Sequence, residues 1–246
     1  MAAGPAVTAR VVVLDTIGST NAEALALARS GERGPLWITA RQQTAGRGRR
    51  GRTWVSEPGN LYATLLLTDA GPPERAAELS FVAALAVYDA VGARIPGLSK
   101  RLALKWPNDC LIDGNKFAGI LIEGEGKAGA IGIGVNCVHH PAGTAFPATD
   151  LAAAGVRATP ETVFAALMPA MTNRLMQWDR GAGFTVIRSD WLKHAFQLGK
   201  TIRVALPEGE REGRFDGIDD TGRLMLRGAG GASEAITAGD VLPARA

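Results

Sequence analysis

Cysteine and histidine are scarce in this chain, which limits the kinds of site that it can form. Only two cysteines, Cys110 and Cys137, occur among 246 residues, and both lie in apolar stretches without metal-type spacing. We therefore expect no disulfide framework, but two reduced, buried thiols in a cytoplasmic protein. His139 and His140 are adjacent and precede a proline with no third ligand nearby, so we predict no metal ion held by the protein alone.

Long hydrophobic runs and a strong excess of one charge are also missing. The longest uncharged stretch, residues 128–149, contains an asparagine, two histidines and two prolines, which argues against a membrane span. The first five residues lack the basic and apolar regions of a signal peptide. Net charge is only +3 and the apolar fraction is 46%, so we expect an ordinary core, with no membrane and no nucleic acid among the partners.

What is present is a local concentration of positive charge at residues 46–52, here called the arginine loop. Its sequence, Gly46-Arg47-Gly48-Arg49-Arg50-Gly51-Arg52, packs four arginines and three glycines into one segment. Glycine lets the backbone approach a ligand closely, and arginine offers planar, permanently charged donors that match carboxylates and phosphates. No apolar periodicity runs through the segment. The composition therefore predicts a mobile loop that wraps an anion.

The glycine spacing of the arginine loop formally matches the dinucleotide-binding fingerprint, but its context does not. Arginines fill the variable positions, and Glu57-Pro58-Gly59 follows where a helix should begin. A flexible Arg/Gly contact to nucleic acid is a second alternative, although aromatic residues are not interleaved with the arginines.

The periodicity of the chain predicts an α+β fold, with a mixed larger part followed by a small β barrel. Thr20 and Glu23 fit a capping box for a helix that ends near Arg29, and Asp113-Gly114-Asn115 fits a hairpin turn. Other helices are expected at 74–92, from 159 onward and at 184–196. Strands are expected at 11–14, 36–40, 60–67, 102–106, 110–112, 117–122 and 131–138, and as short hairpins after 199.

Several short polar motifs accompany the arginine loop, and each has an ordinary structural interpretation. Ser19-Thr20-Asn21 is typical of a helix cap, although its hydroxyls and amide, like the Gln43 amide, also suit a urea or amide group of a ligand. Lys105-Trp106-Pro107-Asn108-Asp109 is typical of a strand leading into a turn. Lys116 alone would be a solvated lysine.

Taken in order, these motifs are far more specific than any one alone. Ser-Thr-Asn, Gln-x-x-Gly-Arg-Gly-Arg-Arg-Gly-Arg-x-Trp, Lys-Trp-Pro-Asn-Asp with Lys116 beyond it, and Gly132-x-Gly134-x-Asn136 follow one another. The chain thereby resembles the biotin protein ligases, which attach biotin to carboxylase carrier domains. The match runs from about Leu14 to Asn136 and extends more weakly to the C-terminal end.

The resemblance implies a biotin/lipoate-ligase-type catalytic domain at 1–196 and an SH3-like β barrel at 197–246. It implies ATP and biotin as substrates, Mg²⁺ bound with the phosphates, and a biotin carboxyl carrier domain of acetyl-CoA carboxylase or another biotin-dependent carboxylase as acceptor. Biotin would be bound by Ser19, Thr20, Asn21, Gln43, Gly46, Arg47, Gly48, Arg49, Lys116, Gly119 and Gly134. ATP or the adenylate would be bound by Arg49, Trp54, Lys105, Asn108, Lys116, Gly132 and Asn136. The catalytic residues would be Arg47, Arg49, Lys116 and Asp109, with Asp109 near the incoming lysine in the second step.

Two departures from the family pattern bear on function. The catalytic pattern begins by about Val11, so we expect a ligase, monomeric or homodimeric, without the DNA-binding domain of bifunctional relatives. Residues 240–245 lack a clear match to the barrel arginine that some members direct at the nucleotide. The alternatives are a lipoate or octanoate ligase of the same fold, an Arg/Gly-loop nucleic-acid-binding protein, and a biotin-binding protein without ligase activity.

Overall fold

A seven-stranded sheet carries helices on both faces. The computed structural model describes residues 9–94 and 97–243, so the predictions made for the first five residues and for Arg245 lie outside the described residues. The sheet is formed by β1 (Arg10–Ile17), β2 (Leu36–Gln43), β3 (Leu61–Leu67), β4 (Leu102–Lys105), β5 (Asp109–Ile112), β6 (Asn115–Glu125) and β7 (Ala128–Val135). The helices are α1 (Thr20–Arg29), α2 (Glu78–Gly92), α3 (Pro160–Trp178) and α4 (Phe184–Lys193).

The strand order β1-β2-β3-β7-β6-β5-β4 brings distant segments together. Within this sheet β1 and β2 pair in parallel, since α1 connects them, and the other neighbouring strands pair antiparallel. The predicted β5–β6 hairpin is confirmed: Asp113 and Gly114 both have positive φ, at 50° and 78°, as a tight hairpin turn requires.

The sheet divides its side chains between two cores because strand residues alternate between faces. Leu61, Ala63 and Leu65 join the larger core, together with α2, α3 and α4. Leu66, next along β3, joins a smaller core beneath α1 with Leu36 and Ile38. Most of α2 is buried rather than one stripe of it, because it lies within the larger core.

Two predictions about helix starts were wrong. The cap of α1 is Ser19, whose side chain accepts from the Ala22 amide, so Thr20 is already helical and its hydroxyl is free to bond elsewhere. Helix α2 begins at Glu78 rather than Glu74. The preceding residues Pro73–Arg75 form a 3₁₀ turn, which the bond from Arg75 to the Gly181 carbonyl ties to the end of α3.

The predicted C-terminal β domain is confirmed as a five-stranded antiparallel sheet. Its strands are β8 (Thr201–Leu206), β9 (Gly209–Ile218), β10 (Leu224–Arg227), β11 (Ser233–Ile236) and β12 (Asp240–Val241), in the order β11-β10-β9-β8-β12. It shares the larger core, and the buried Trp106 indole donates to the Gly222 carbonyl at 3.0 Å. The Phe196 amide still donates to Leu104 in the large sheet. The boundary at 196/197 stays a prediction.

Candidate active site

A cavity of about 460 Å³ opens where the large sheet, the arginine loop and β12 meet. Every residue that the sequence analysis assigned to a site lines it except Gly46. These residues are Ser19, Thr20, Asn21, Gln43, Arg47, Gly48, Arg49, Trp54, Lys105, Asn108, Asp109, Lys116, Gly119, Gly132, Gly134 and Asn136. The structure thus brings together motifs that are more than a hundred residues apart in the chain.

One end of the cavity is built from hydroxyl and amide groups at the start of α1. Both the amide and the hydroxyl of Thr20 donate to Gln43 Oε1, at 2.9 and 3.1 Å. Gln43 Nε2 donates to Ser56 Oγ at 3.0 Å, which fixes the orientation of the Gln43 amide. Thr64 Oγ1 lies 2.8 Å from the Thr20 hydroxyl. These neutral donors and acceptors suit an uncharged polar ligand group.

Asn21 is held in the same network by contacts that depend on a glycine opposite it. Its Nδ2 donates to Glu123 Oε2 at 2.8 Å, and its Oδ1 lies 2.7 Å from Thr64 Oγ1. A Cβ added at Gly132 would lie 2.3 Å from Asn21 Oδ1. Glycine is therefore required at position 132 for Asn21 to occupy this place.

The arginine loop forms a defined turn with its own hydrogen bonds. The Gly48 amide donates to Arg52 O at 2.7 Å, and the Trp54 amide donates to Gly46 O at 2.9 Å. Gly46 lies behind the cavity wall, where a Cβ would come within 2.4 Å of both Ser56 Oγ and Trp54 O. Its place in the structure is therefore a close backbone crossing rather than the cavity surface.

The Trp54 indole covers two glycines of the sheet. A Cβ at Gly134 would lie 2.6 Å from the ring, and one at Gly119 would lie 3.0 Å from it. Lys116 Nζ is 5.2 Å from the ring centroid. Among the described residues, none accepts a hydrogen bond from the buried Trp54 Nε1. The indole thus forms an apolar wall with an unused donor.

Asp109 lies between two lysines in the cavity wall. Lys105 Nζ is 2.7 Å from Oδ2 and Lys116 Nζ is 2.5 Å from Oδ1, while Asp109 and Lys105 are both buried. Burial alone would raise the pKa of Asp109, but the two ammonium groups outweigh it and lower the pKa to about 2. Asp109 is therefore ionised at neutral pH and holds Lys116 at the cavity.

Arg49 extends from the loop toward the small β domain. Its Nη1 is 3.4 Å from Asn108 Oδ1, 3.3 Å from Gly239 O and 3.6 Å from an oxygen of Asp240. Burial lowers the pKa of Arg49 below its usual value, and the Asp240 carboxylate offsets this only in part. On the other side, Arg47 Nη2 donates to both carboxylate oxygens of Glu123, each at 3.0 Å. The loop arginines are thus held from two directions.

The charges in the lining favour an anionic ligand. Five cationic side chains, Arg47, Arg49, Arg52, Lys105 and Lys116, face two lining carboxylates, Asp109 and Asp240, which leaves an excess of three positive charges. Such groups in a partly desolvated cleft attract anions and stabilise negative charge that develops there. One cavity thus combines a neutral polar end with a cationic end.

The site also includes residues that sequence reasoning missed. The ring centroid of Phe146 lies 4.5 Å from Lys105 Nζ. Asp240 contacts Arg49, Thr64 contacts Thr20 and Asn21, and Glu123 binds Arg47 and Asn21. Phe146 and Asp240 also line the cavity. The loop before Leu151 reaches the site because the buried Asn136 side chain donates to Thr149 O at 3.0 Å. No local pattern marks these residues, since their partners are far away in sequence.

The two adjacent histidines do not meet at a common site. His140 Nδ1 lies 2.6 Å from Asp150 Oδ2, whereas His139 Nδ1 lies 3.2 Å from Asn60 Nδ2. Residues 9–94 and 97–243 contain no cluster of three or more potential metal-ligating side chains. Across the same residues, no helix combines the length and apolar character that crossing a membrane needs.

Comparison with known proteins agrees with this architecture. Residues 14–137 match the biotin/lipoate A/B protein ligase family, and residues 198–242 match the biotin protein ligase C terminal domain. A biotin–[acetyl-CoA-carboxylase] ligase from Paracoccus denitrificans is 46% identical over 87% of this chain and 92% of its own length. The corresponding ligase from Mycobacterium tuberculosis is 36% identical over 95% of this chain and 88% of its own length.

A solved structure extends the similarity to three dimensions. The biotin protein ligase from Aquifex aeolicus, in complex with biotin and ATP, has a TM-score of 0.79 and 26% sequence identity, covering 94% of this chain and 97% of that chain. Both the fold and the family expected from the motifs are confirmed. The chain belongs to the biotin/lipoate ligase family and, within it, to the biotin protein ligases.

Proposed function

We propose that this protein joins biotin to ATP, giving biotinyl-5'-AMP and pyrophosphate, and then transfers the biotinyl group to a lysine of a biotin carboxyl carrier domain. The observation that carries the proposal is the single cavity with a neutral hydrogen-bonding end and a cationic end. Biotin has a neutral ureido ring and a carboxylate, so it matches the two ends in polarity. The ligand-bound relative from Aquifex aeolicus supports this assignment.

The ureido ring would bind at the hydroxyl and amide end. Ser19, Thr20, Asn21 and Gln43 there offer both donors and acceptors, as a urea group needs. The Thr20 hydroxyl is already bonded to Gln43, and Thr64 contacts both Thr20 and Asn21, so little conformational freedom is lost when the ring binds. This preorganisation supports a specific pocket rather than a general polar surface.

The carboxylate and the α-phosphate would meet beneath the arginine loop. Two anions repel, and Arg47, Arg49 and Lys116, with the Gly48 backbone, would offset that repulsion and the charge that builds in the transition state. Mg²⁺ would arrive with ATP and shield its phosphates, because Asp109 and Asp240 are already paired with cations and no cage of protein ligands occurs in the described residues. Catalysis is then positioning and electrostatics, without a covalent enzyme intermediate.

The remaining predicted residues would shape the adenylate pocket. Trp54 would form an apolar wall for the adenine, since its indole packs over Gly134 and Gly119 of the sheet. Gly132 and Gly134, where side chains would collide with Asn21 and Trp54, leave room along β7. Lys105, Asn108 and Asn136 complete the lining, and we assign Gly119 to the floor beneath Trp54.

In the second step, the acceptor lysine would attack the mixed anhydride and release AMP. The predicted role of Asp109 near that lysine stays a prediction. Its contacts support a further task, since both carboxylate oxygens face lysines and so hold Lys116 at the reacting carboxyl group. The buried unpaired thiols Cys110 and Cys137 and the requirement for ATP suit the cytoplasm.

The first half-reaction gives the sharpest test. We expect biotin-dependent exchange of labelled pyrophosphate into ATP, with no exchange when lipoate or octanoate replaces biotin. Adding a biotin carboxyl carrier domain should then increase the acceptor's mass by one biotinyl group, and the same domain with its acceptor lysine replaced by arginine should stay unmodified. Exchange driven by lipoate would indicate the related ligase, and biotin binding without exchange would indicate a binding protein. Either result would refute the proposal.

A further inference from the structure

The arginine loop has no apolar side chain with which to anchor itself. Residues 46–52 are only glycine and arginine, so the loop is held by backbone hydrogen bonds and by its charged partners. One partner is Glu123, which binds Arg47. The other three arginines, Arg49, Arg50 and Arg52, all face one carboxylate, that of Asp240.

Asp240 presents that carboxylate from a rigid support. It lies in β12, where it pairs with Ala205 of β8, and the next residue, Val241, is buried in the core. The preceding Gly239 is packed so closely that a Cβ would lie 2.7 Å from Val204 Cγ1. The Asp240 side chain is itself only 17% exposed. A shift of the loop therefore leaves the carboxylate in place.

The three ion pairs differ in length, and the order is informative. Arg52 is 2.5 Å and Arg50 3.2 Å from Asp240 Oδ2, whereas Arg49 is 3.6 Å from Oδ1. Arg49 and Arg52 both line the cavity, and Arg49 lies there beside Asn108. An incoming phosphate can therefore draw Arg49 away at small cost while Arg50 and Arg52 keep the loop attached. One carboxylate against three guanidinium groups also leaves the cluster positive, so it still attracts anions.

We propose that Asp240 is a positioning residue, which fixes the arginine loop to the small β domain so that Arg49 faces the cavity before substrate binds. The C-terminal domain thereby contributes Asp240 to the site, a residue that lies 190 positions after Arg50 in the chain. Loop order is a property of the unliganded protein, whereas the effect on catalysis rests on the proposed ligase function.

Hydrogen exchange of the unliganded protein tests the loop directly. In Asp240→Asn, we expect backbone amides of peptides covering residues 46–54 to exchange about five- to tenfold faster than in wild type, because charge pairing no longer opposes local opening. The matched control is Asp216→Asn. Asp216 lies in the same domain, is 16% exposed and pairs with two arginines, Arg214 and Arg227, away from the cavity. It should leave loop exchange unchanged.

Catalytic coupling gives a second readout, which a loss of domain stability would not change. With biotin, Mg-ATP and the carrier domain, Asp240→Asn should raise the KM for ATP about tenfold and release more pyrophosphate per acceptor modified, because the loop shields the adenylate less well. Asp216→Asn should keep the wild-type ratio. If the wild-type protein makes no pyrophosphate, the proposed function fails, and the exchange arm still decides the role of Asp240.

Two results would overturn the role of Asp240. The first is exchange of residues 46–54 within twofold of wild type in Asp240→Asn; the second is an equal effect in Asp216→Asn. If Asp240→Asn also speeds amide exchange in strands β8–β10, the Asp240→Glu variant decides whether the loop effect is specific, since it keeps the charge. Wild-type loop protection in Asp240→Glu supports the proposal, and lost protection with an intact β domain refutes it.

Discussion

Replacing Asp109 with asparagine should destabilise the protein more than any exposed ion-pair substitution. The change removes the charge that compensates Lys105 and Lys116, and Lys105 is only 4% exposed. Removing one partner of a buried ion pair leaves an uncompensated charge and costs about 3–5 kcal/mol. In a chain of this size, that free energy corresponds to a fall in Tm of roughly 6–20 °C.

The pKa of Asp109 gives a separate estimate of the same interaction. Its pKa falls from 3.8 to about 2 in the folded protein, which corresponds to about 2 kcal/mol of stability at neutral pH. Because the folded pKa is the lower one, this stability is present above about pH 4 and is lost as the pH falls toward 2. The wild type should show this loss, and Asp109→Asn should lack this part of the pH dependence.

Urea unfolding followed by tryptophan fluorescence measures both effects. Asp113→Asn is the matched control: Asp113 pairs with Arg101 but is 50% exposed, so its loss should cost less than about 1 kcal/mol. Asparagine also tolerates the positive φ at that turn. An unfolding free energy of Asp109→Asn within 1 kcal/mol of wild type would refute the reasoning.

The other predictions concern the proposed reaction. Lys116→Ala should slow pyrophosphate release about 10²–10³-fold by removing a cation at the reacting junction. Lys100 is exposed, and Lys100→Ala should keep the wild-type rate. A wild-type rate in Lys116→Ala would refute the assignment. Arg49→Gly should release biotinyl-AMP into solution about tenfold faster, because one charge-assisted contact is lost; unchanged retention by HPLC would argue against shielding. Gly132→Ala should displace Asn21 and weaken biotin binding, measured by calorimetry, about 10²-fold. In the control Gly124→Ala, the added Cβ meets only an ordinary 3.4 Å contact, so biotin should bind as tightly as in wild type.

The fold was predictable where the determinants are local. The hairpin at Asp113-Gly114 and the start of α3 at Thr159-Pro160 follow from turn and cap chemistry, and the structure confirms both. The start of α1 was placed one residue late because Ser19 and Thr20 are both good caps by sequence. In the folded protein Ser19 is the cap, and the Thr20 hydroxyl donates to Gln43 of β2, a contact that the local sequence does not reveal.

The site was predictable as a set of residues, because its motifs are compact, but not as a network. Asp240 could not be found by pattern, since a single aspartate near the end of a chain carries no signal of the arginines it binds. Glu123 is similar, because it meets Arg47 only after β6 is placed in the sheet. Contacts of this kind are set by tertiary packing rather than by local sequence.

A crystal structure of the protein with biotin and a non-hydrolysable ATP analogue tests the central claim most directly. We expect the ureido ring against Thr20, Asn21 and Gln43, and the biotin carboxylate facing the α-phosphate between Arg49 and Lys116. Biotin bound in the reverse direction, or an arginine loop extended into solvent away from both ligands, would contradict it.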